Sequence, residues 1–447
     1  MESNFSRRSF LKIGGASVAT VATAGVAGSM LSETAAAAAP HAMGRTATEA
    51  VLPKAKGQRV VVVGGGWSGL SVAKYVKKEA PELDVVLIEK NNSFMSCPMS
   101  NLWLAGLVDL EFLSHSYLDA AKNNNYLFFN ATVVDVARTK RQVYTDQGYV
   151  KYDYLVLSPG IDYNYEAIGV SDPADQFRLR TQYPAGFMPG SEHLSIKRKL
   201  EEFEGGTFLL TVPAGNYRCL PGPYERACLM AHYFKKNKIK GEVLLLDANA
   251  NITIKAEGFQ AAFDDLYKGV LRRVASAEIK GVDLAAKTVK TEFDTYNFTD
   301  AAIYPRVRGS RLLETLGLVA KNTQMEANID VLKYHVKGDE RVFVAGDSRP
   351  MPFSKSGNTS NSEGRFLGKL IAAKSRGKDL PWESPRTICY SMVNGDPEEA
   401  IKVDAFYKYD PAKGFSFDRA KVDNTRTKDL GIAAKDWAKG MYRDMFS

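Results

Sequence analysis

The chain has 447 residues, of which 45% are hydrophobic and 25% are charged. This composition is typical of a globular protein with room for about two or three domains, and it excludes a disordered or collagen-like chain. The formal net charge is +8. The basic residues are spread along the sequence without the Lys and Arg blocks and interleaved aromatic residues of a nucleic-acid groove, so we expect no nucleic-acid partner.

The N-terminal segment has the pattern of an export signal. Arg7 and Arg8 precede a weakly apolar stretch rich in Gly, Ala and Thr, and a run of small residues ends at Pro40. A membrane anchor is the alternative interpretation, but the stretch is poor in Leu and Ile. We therefore expect residues 1–39 to be a cleaved twin-arginine signal peptide, which exports the folded protein to the periplasm and leaves no integral membrane segment.

The next segment predicts a strand, a glycine turn, a helix and a second strand. Residues 60–63 form an apolar run, and Gly64, Gly66 and Gly69 follow with G-x-G-x-x-G spacing. Glycines at these positions allow a tight turn, a close approach to a pyrophosphate and packing of the helix on the strand. The second strand ends in Glu89, 20 positions after Gly69. A carboxylate there accepts a hydrogen bond from a ribose hydroxyl and repels a 2′-phosphate, which favours FAD or NAD over NADP.

Two later segments favour FAD over NAD. YDYLVLSPG predicts a short strand that ends in a turn at Gly160, and RVFVAGDS predicts a strand that ends at Asp347. Each segment alone is typical of an ordinary sheet strand. Their order, separated by a long insertion, resembles the flavoproteins with two dinucleotide-binding domains, in which the Asp at this position holds the ribityl chain of FAD.

Between these segments lies a second, partial nucleotide-binding unit. GGTFLLTVPAGNYRC predicts a strand and a turn, followed by a helix to about Lys238 and a strand that ends at Asp247. The turn lacks the glycines that admit a pyrophosphate, and Pro213 removes a backbone donor. We therefore predict a Rossmann-like domain without a functional NAD site, and an electron donor other than NAD(P)H.

The chain has four cysteines, Cys97, Cys219, Cys228 and Cys389, and sequence alone leaves their pairing open. The sequence contains no C-x-x-C or C-x-x-C-H motif and only five scattered histidines, so we expect no haem on this chain and no metal site.

Cys219 follows a predicted strand end, where ligands bind in this architecture. Cys228 has the spacing of a helix core residue, and a bridge between Cys219 and Cys228 is the alternative. Cys97 lies in a polar segment that can run beside the nucleotide, and a small buried cysteine is the alternative there.

Four motifs carry a family resemblance. SCPMSN, NYRCLPGPYERA, KSGNTSNSEGR and TICYS resemble the flavoprotein subunit of flavocytochrome c sulfide dehydrogenase, which is related to sulfide:quinone oxidoreductases. The resemblance implies an α/β fold with two Rossmann-like dinucleotide-binding domains of the disulfide-reductase type and a C-terminal interface domain. The expected ranges are 57–170 and 308–380 for the FAD-binding domain, 171–307 for the second Rossmann-like domain, and 381–447 for the interface domain.

The resemblance also implies roles for three cysteines. Cys97 would join FAD covalently through an 8α-S-cysteinyl thioether. Cys219 and Cys389 would form a redox-active disulfide beside the flavin.

Two charged residues are candidates for supporting roles. Glu225 is a candidate proton acceptor for incoming sulfide, and a solvent or helix-start carboxylate that pairs with Arg226 or Arg218 is the alternative. Lys355 begins a helix-like segment and could place positive charge near the N1/C2 carbonyl end of the flavin, and a surface lysine is the alternative.

The implied activity is that of an FAD-dependent sulfide:cytochrome c oxidoreductase, which oxidises sulfide to sulfur or polysulfide. Hydrosulfide would attack the disulfide and leave a persulfide on one cysteine and a thiolate on the other. A c-type cytochrome subunit would accept the electrons, and C-terminal aromatic residues such as Trp437 would contribute to the flavin pocket and the cytochrome contact. The alternatives are an accessory FAD electron-transfer protein of a periplasmic thiosulfate- or sulfur-oxidising system and a sulfide:quinone oxidoreductase.

Overall fold

The structure is a computed structural model that describes residues 48–322 and 324–447. The signal peptide expected at residues 1–39 lies outside these residues. None of the helices in the described ranges is both long enough and apolar enough to cross a membrane.

Helices and mostly short strands are interspersed through the first two thirds of the described chain, and long antiparallel strands follow. The helices are α1 (Trp67–Glu79), α2 (Ser100–Leu104), α3 (Tyr117–Asn123), α4 (Pro173–Gln182), α5 (Ser191–Glu201), α6 (Gly222–Asn237), α7 (Ala256–Leu266), α8 (Arg311–Thr315), α9 (Gly357–Ser375) and α10 (Lys428–Phe446). The strands are β1 (Arg59–Val63), β2 (Asp84–Glu89), β3 (Ser93–Met95), β4 (Ser114–Ser116), β5 (Leu127–Asn130), β6 (Val133–Ala137), β7 (Gln142–Thr145), β8 (Gly148–Lys151), β9 (Tyr154–Leu157), β10 (Ile161–Asn164), β11 (Gly205–Val212), β12 (Lys240–Asp247), β13 (Leu271–Val274), β14 (Gly281–Asp283), β15 (Thr288–Lys290), β16 (Thr295–Asn297), β17 (Asp300–Ala302), β18 (Arg306–Gly309), β19 (His335–Val336), β20 (Asp339–Val344), β21 (Arg386–Gly395), β22 (Glu398–Asp410) and β23 (Gly414–Thr427).

The first sheet has six strands in the order β19-β20-β9-β1-β2-β5. Its central strand β1 runs parallel to β2 and β9, and Val61 lies opposite both Val86 and Leu155. All five residues of β1 are buried, as expected of a parallel strand covered on both faces. The sheet therefore combines the segment before the glycine turn with the two later segments that the sequence assigns to the same domain.

The second sheet has four parallel strands in the order β13-β12-β11-β17. The last five residues of β11 and of β12 are buried, and α6 packs on the two strands. The strand β12 ends at Asp247, as the sequence predicts. This is the second Rossmann-like layer, and the predicted α/β fold of the disulfide-reductase type is confirmed.

The third sheet is the antiparallel meander β21-β22-β23, followed by α10. Along most of β22, buried residues alternate with half-buried ones, which is the pattern of a sheet with one face on the core and the other partly solvated. The strand β21 packs against α6 of the second domain, and α10 packs against α1 and α3 of the first domain. The C-terminal region therefore closes over the junction of the two dinucleotide-binding units.

Candidate active site

The turn between β1 and α1 has the geometry of a phosphate-binding loop. A Cβ atom at Gly69 would lie 1.9 Å from the carbonyl oxygen of Gly64, whereas a Cβ at Gly66 would have nothing within 4 Å. Gly66 also precedes α1 without a side-chain cap, so the first N–H groups of the helix are available to an anion. The loop is therefore closely packed at Gly69 and open at Gly66.

Glu89 lies beside this loop at the end of β2. One carboxylate oxygen, Oε2, accepts a hydrogen bond from the backbone N–H of Gly65 at 2.8 Å. The other oxygen, Oε1, accepts from the backbone and side-chain nitrogens of Asn91 at 2.9 and 2.7 Å. These bonds orient the carboxylate at the position where the sequence predicts a ribose contact.

Asp347 and Gly160 lie at the ends of the neighbouring strands β20 and β9. Asp347 is 7% exposed, and its carboxylate accepts from the hydroxyl of Ser360 at 3.2 Å and lies 3.3 Å from Nε of Arg218. Gly160 has a φ of +77° and accepts a hydrogen bond from the hydroxyl of Ser348 through its carbonyl oxygen. Both residues therefore lie at the same sheet edge as the glycine loop.

A cleft lies beside this sheet edge, since Arg218 contacts Asp347 and also lines the cleft. Its lining includes the predicted site residues Cys97, Cys219, Glu225, Lys355 and Cys389, together with Trp437 of α10. These residues come from separate segments of the chain, and the structure brings them together. Cys228 is excluded, because it is fully buried within α6. The four cysteines are free thiols in the structure.

Cys219 occupies the loop between β11 and α6 in an uncommon backbone conformation. Its φ is +58°, a left-handed value that costs a non-glycine residue about 1–3 kcal/mol and that persists only when the surroundings impose it. Its N–H donates to the carbonyl oxygen of Lys355, and its carbonyl accepts from the N–H of Gly222, both at 2.7 Å. A Cβ at Gly222 would lie 2.9 Å from the sulfur of Cys219, so glycine leaves the room that the sulfur needs.

The other two cysteines of the cleft come from β21 and from the loop after β3. Cys389 is part-buried in β21, opposite Val403 of β22. The sulfur of Cys97 lies 3.8 Å from the carbonyl oxygen of Phe187. Burial raises the pKa of all three thiols, and the negative charges of Cys389 and Cys97 add to the rise at Cys219. This mutual influence is expected of sulfurs that share one low-dielectric site.

Glu225 is half-buried in the first turn of α6 and lines the same cleft. Its Oε2 accepts from Nδ2 of Asn101 at 2.8 Å, and its Oε1 accepts from the backbone N–H of Met392 at 2.7 Å. Burial raises the pKa of this carboxyl, and these hydrogen bonds lower it in part. The alternative of a carboxylate paired with Arg226 or Arg218 is wrong, because neither forms an ion pair with Glu225 in the described ranges. Nε of Arg226 donates to Asn101, and Arg218 lies beside Asp347.

Lys355 is buried, so the alternative interpretation of a surface lysine is wrong. Its side chain is 1% exposed, and its ammonium donates to Glu326 and to the carbonyl oxygen of Asp347, both at 2.7 Å. The ion pair offsets the positive charge that the sequence predicts near a flavin. The backbone of Lys355 instead holds Cys219, and Ser356 caps α9 by accepting from the N–H of Thr359.

The second dinucleotide-binding unit differs from the first in the segments that follow its two central strands. Asp247 is fully buried, and its carboxylate accepts from Tyr224, Arg273 and Asn249. The helix α6 begins at Gly222, well after β11 ends at Val212, so its N-terminus does not directly follow the strand. Both features agree with the predicted loss of the NAD site.

Comparisons with known proteins address the same regions. Residues 194–304 match the family described as sulfide dehydrogenase (flavocytochrome c) flavoprotein chain, central. Residues 383–446 match flavocytochrome c sulphide dehydrogenase, flavin-binding, and residues 58–181 match pyridine nucleotide-disulphide oxidoreductase. The sulfide dehydrogenase (flavocytochrome c) flavoprotein chain of Chlorobaculum thiosulfatiphilum is 52% identical over 44 residues, which are 10% of this chain and 92% of that relative.

The chain belongs to the family of flavocytochrome c sulfide dehydrogenase flavoprotein chains.

Two further comparisons place this flavoprotein chain among its relatives. The type II NADH:quinone oxidoreductase of Staphylococcus haemolyticus (strain JCSC1435) is 30% identical over 120 residues, which span 26% of the flavoprotein chain and only 29% of that relative. The sulfide:quinone oxidoreductase structure from Aquifex aeolicus has a TM-score of 0.69 at 18% identity and covers 87% of the flavoprotein chain and 91% of its own. At this identity the structural likeness shows the shared fold.

The residues of the flavoprotein chain fit FAD. The open space at Gly66 and the uncapped start of α1 suit a pyrophosphate, Glu89 suits a ribose, and the buried carboxylate of Asp347 suits a polyol chain. The cleft beside this sheet edge is lined by Cys97 and the other two cysteines. The start of α9 also lines the cleft through Gly357 and Asn358, where backbone N–H groups favour negative charge.

Sequence analysis missed Lys255, a residue that the structure places beside the cysteines. It lies in a short loop before α7, and its side chain is 3% exposed. A single lysine in ANITIKAEG has no pattern that distinguishes it from a surface lysine. Only tertiary packing brings it to the active site.

Proposed function

We propose that the flavoprotein chain oxidises sulfide to sulfur or polysulfide through FAD and a redox-active Cys219–Cys389 pair. One observation carries the proposal: Cys219, Cys389 and the half-buried carboxyl of Glu225 line a single cleft with Cys97. A cysteine pair with a nearby proton acceptor is the arrangement that thiol–disulfide exchange with hydrosulfide requires. The family membership supports the same substrate class.

The proposed reaction proceeds in successive steps that use residues of the cleft. Glu225 takes the proton that H₂S loses as it becomes hydrosulfide. Hydrosulfide attacks one sulfur of the disulfide; a new S–S bond forms, the old one breaks, and its electron pair leaves on the other cysteine as a thiolate. A second hydrosulfide attacks the resulting persulfide and releases a polysulfide, which leaves both cysteines reduced. Their return to the disulfide releases two electrons.

A bound FAD supplies an acceptor for two electrons that can be released one at a time, as a haem acceptor needs. The residues proposed to hold it are those of the glycine loop, Glu89 and Asp347, with Cys97 as its covalent link. Buried Arg226 and Lys255 add positive charge near the cleft, which favours entry of an anion such as hydrosulfide.

We propose a c-type cytochrome subunit as the electron acceptor and the periplasm as the compartment. The twin-arginine pattern at Arg7 and Arg8 supports export after the cofactor is loaded. The family name, flavoprotein chain of flavocytochrome c sulfide dehydrogenase, supports a cytochrome c subunit as the partner. A quinone is the alternative acceptor, favoured by the fold shared with a sulfide:quinone oxidoreductase.

An anaerobic titration of the mature protein tests the donor. We expect stoichiometric sulfide to bleach the flavin absorbance band and NADH to leave it unchanged, because the turn after β11 lacks the glycines of a pyrophosphate site and α6 does not directly follow the strand. Bleaching by NADH alone would overturn both the predicted loss of the NAD site and the sulfide proposal. Absence of any response would favour the accessory electron-transfer protein of a sulfur-oxidising system.

Steady-state assays with sulfide then test the acceptor. We expect turnover with cytochrome c in buffer and no comparable turnover with a short-chain quinone in detergent. The reverse result would identify a sulfide:quinone oxidoreductase.

A further inference from the structure

Lys255 is a buried lysine to which the proposed reaction steps assign no individual task. Its ammonium donates to the hydroxyl of Ser391 at 2.6 Å and to the carbonyl oxygen of Cys389 at 3.3 Å. Within the described residues it forms no ion pair with a carboxylate. A buried ammonium without a carboxylate partner is costly, so a compensating negative charge is expected nearby.

Ser391 connects this ammonium to a sulfur. Residues 389 and 391 alternate along β21 and therefore project from the same face of the strand. Ser391 is fully buried, and its side chain lowers the pKa of the Cys389 thiol, whose sulfur lies 3.5 Å from the carbonyl oxygen of Tyr390. Because the hydroxyl oxygen already accepts from Lys255, its proton is free to point toward the sulfur.

We propose that Lys255 is a positioning residue that acts through Ser391 and holds negative charge on the sulfur of Cys389 when the cysteine pair is reduced. Charge-assisted hydrogen bonds in a buried site are stronger than neutral ones. The ammonium and the thiolate stabilise each other: burial lowers the pKa of Lys255, and negative charge at Cys389, then at Glu225 and Cys219, raises it. Cys389 is then the thiolate of the reduced pair.

Other titratable groups face the same sulfur. From α6, the carboxylate of Glu225 raises the pKa of Cys389, whereas Lys255 lowers it. From the loop before α6, Cys219 is close enough for the charge of Cys389 to raise its own pKa. A proton on Glu225 therefore favours the thiolate of Cys389, and removal of Lys255 disfavours it.

The inference deepens the proposed function and rests on it only for its place in the reaction. Its test requires no sulfide turnover, so the two can fail separately. In flavin-loaded protein with Cys219→Ser, which leaves Cys389 as a free thiol, the rate of alkylation of Cys389 by iodoacetamide is measured against pH by peptide mass spectrometry. The midpoint of this profile reports the ionisation of the Cys389 thiol.

We expect Lys255→Met to shift the midpoint upward by about one pH unit or more, which is roughly a tenfold slower alkylation at neutral pH. Lys255→Arg keeps the charge and is expected to restore much of the rate. Glu225→Gln removes the opposing charge and is expected to shift the midpoint downward. Shifts of opposite sign would not arise from a merely structural role for Lys255.

Ser391→Ala provides a second variant if Lys255→Met does not retain flavin. It keeps the lysine and removes the hydroxyl, so an upward shift is again expected. Unchanged profiles in Lys255→Met and Ser391→Ala would overturn the proposal. So would faster alkylation of Cys219 than of Cys389 in the reduced wild-type protein at neutral pH.

Discussion

The backbone N–H of Cys219 donates a hydrogen bond of 2.7 Å to the carbonyl oxygen of Lys355. This bond joins the loop before α6 in the second domain to the residue that precedes the capped start of α9 in the first. It holds Cys219 in its left-handed conformation, and the sulfur faces the cleft as a result. The reactive segment is therefore positioned by the domain that is proposed to bind the flavin.

The cysteines of the cleft and the cysteine of the core are expected to differ in function. Cys219→Ser and Cys389→Ser each remove one half of the proposed disulfide, so sulfide-dependent turnover should fall by roughly 1000-fold or more. Cys228→Ser is the control, because Cys228 lies inside α6 away from the cleft. Stopped-flow reduction of the flavin by sulfide measures the effect, and full turnover in Cys219→Ser would contradict the disulfide mechanism.

Cys97 is expected to determine how firmly the flavin is held. In the wild-type protein, flavin absorbance should stay with the polypeptide through acid precipitation, since the proposed thioether survives unfolding. In Cys97→Ala the flavin should appear in the supernatant. Cys228→Ala is the matched control and should retain its flavin in the pellet. Release of flavin from the wild-type protein would rule out the covalent link.

Ionisation of Glu225 is expected to determine the acidic limb of the pH profile of kcat/KM for sulfide. Burial raises the pKa of its carboxyl above the usual 4.5, and a proton acceptor works only when ionised. The kcat/KM for sulfide should therefore rise as pH increases through this raised pKa, and Glu225→Gln should lower it by about 10²–10⁴.

The ionisation of sulfide itself is common to both proteins and cancels in their ratio. The ratio of wild-type to variant kcat/KM should therefore grow with pH across this range. A ratio that is independent of pH would contradict the role of Glu225 as the proton acceptor.

Two glycines of the nucleotide loop should respond differently to the same substitution. Gly66→Ala adds a methyl group with no protein atom within 4 Å, so we expect a folded protein with less bound flavin. Gly69→Ala places its methyl 1.9 Å from a backbone oxygen, so we expect loss of soluble protein. Gly440, in α10, also has nothing within 4 Å, and Gly440→Ala should keep its flavin. Circular dichroism and the ratio of flavin to protein distinguish these outcomes.

The ion pair of Arg349 and Glu363 is expected to matter for stability. Both side chains are fully buried at a separation of 2.9 Å, and Glu363 also accepts from the hydroxyl of Tyr334. Glu363→Ala leaves a buried guanidinium without its carboxylate and should cost about 3–5 kcal/mol in the free energy of unfolding.

A lower thermal midpoint would report this loss. The exposed pair of Lys369 and Glu383 is the control, since its side chains are 40% and 51% accessible. Glu383→Ala should change stability by less than about 0.5–1 kcal/mol. Equal effects of the two substitutions would contradict the importance of the buried pair.

Local patterns in the sequence were sufficient to predict most of the first nucleotide-binding unit. The apolar run of β1, the glycine spacing and the strand that ends at Glu89 are properties of neighbouring residues, and the structure has each of them. Pro213 and the missing glycines likewise indicated the altered second turn. The burial of Lys355 was not predictable, because its partner Glu326 is 29 positions away.

By itself the sequence determined the strand, turn, helix and strand of the first nucleotide-binding unit and the family, because hydrophobic periodicity, glycine positions and motifs are local. Only the tertiary structure decided that Cys219, Cys389 and Glu225 share one cleft and that Lys255 lies beside Cys389. They lie on separate loops, a helix and a strand, and their proximity depends on how β21 packs against α6. Such packing is a property of whole surfaces, and no spacing along the chain encodes it.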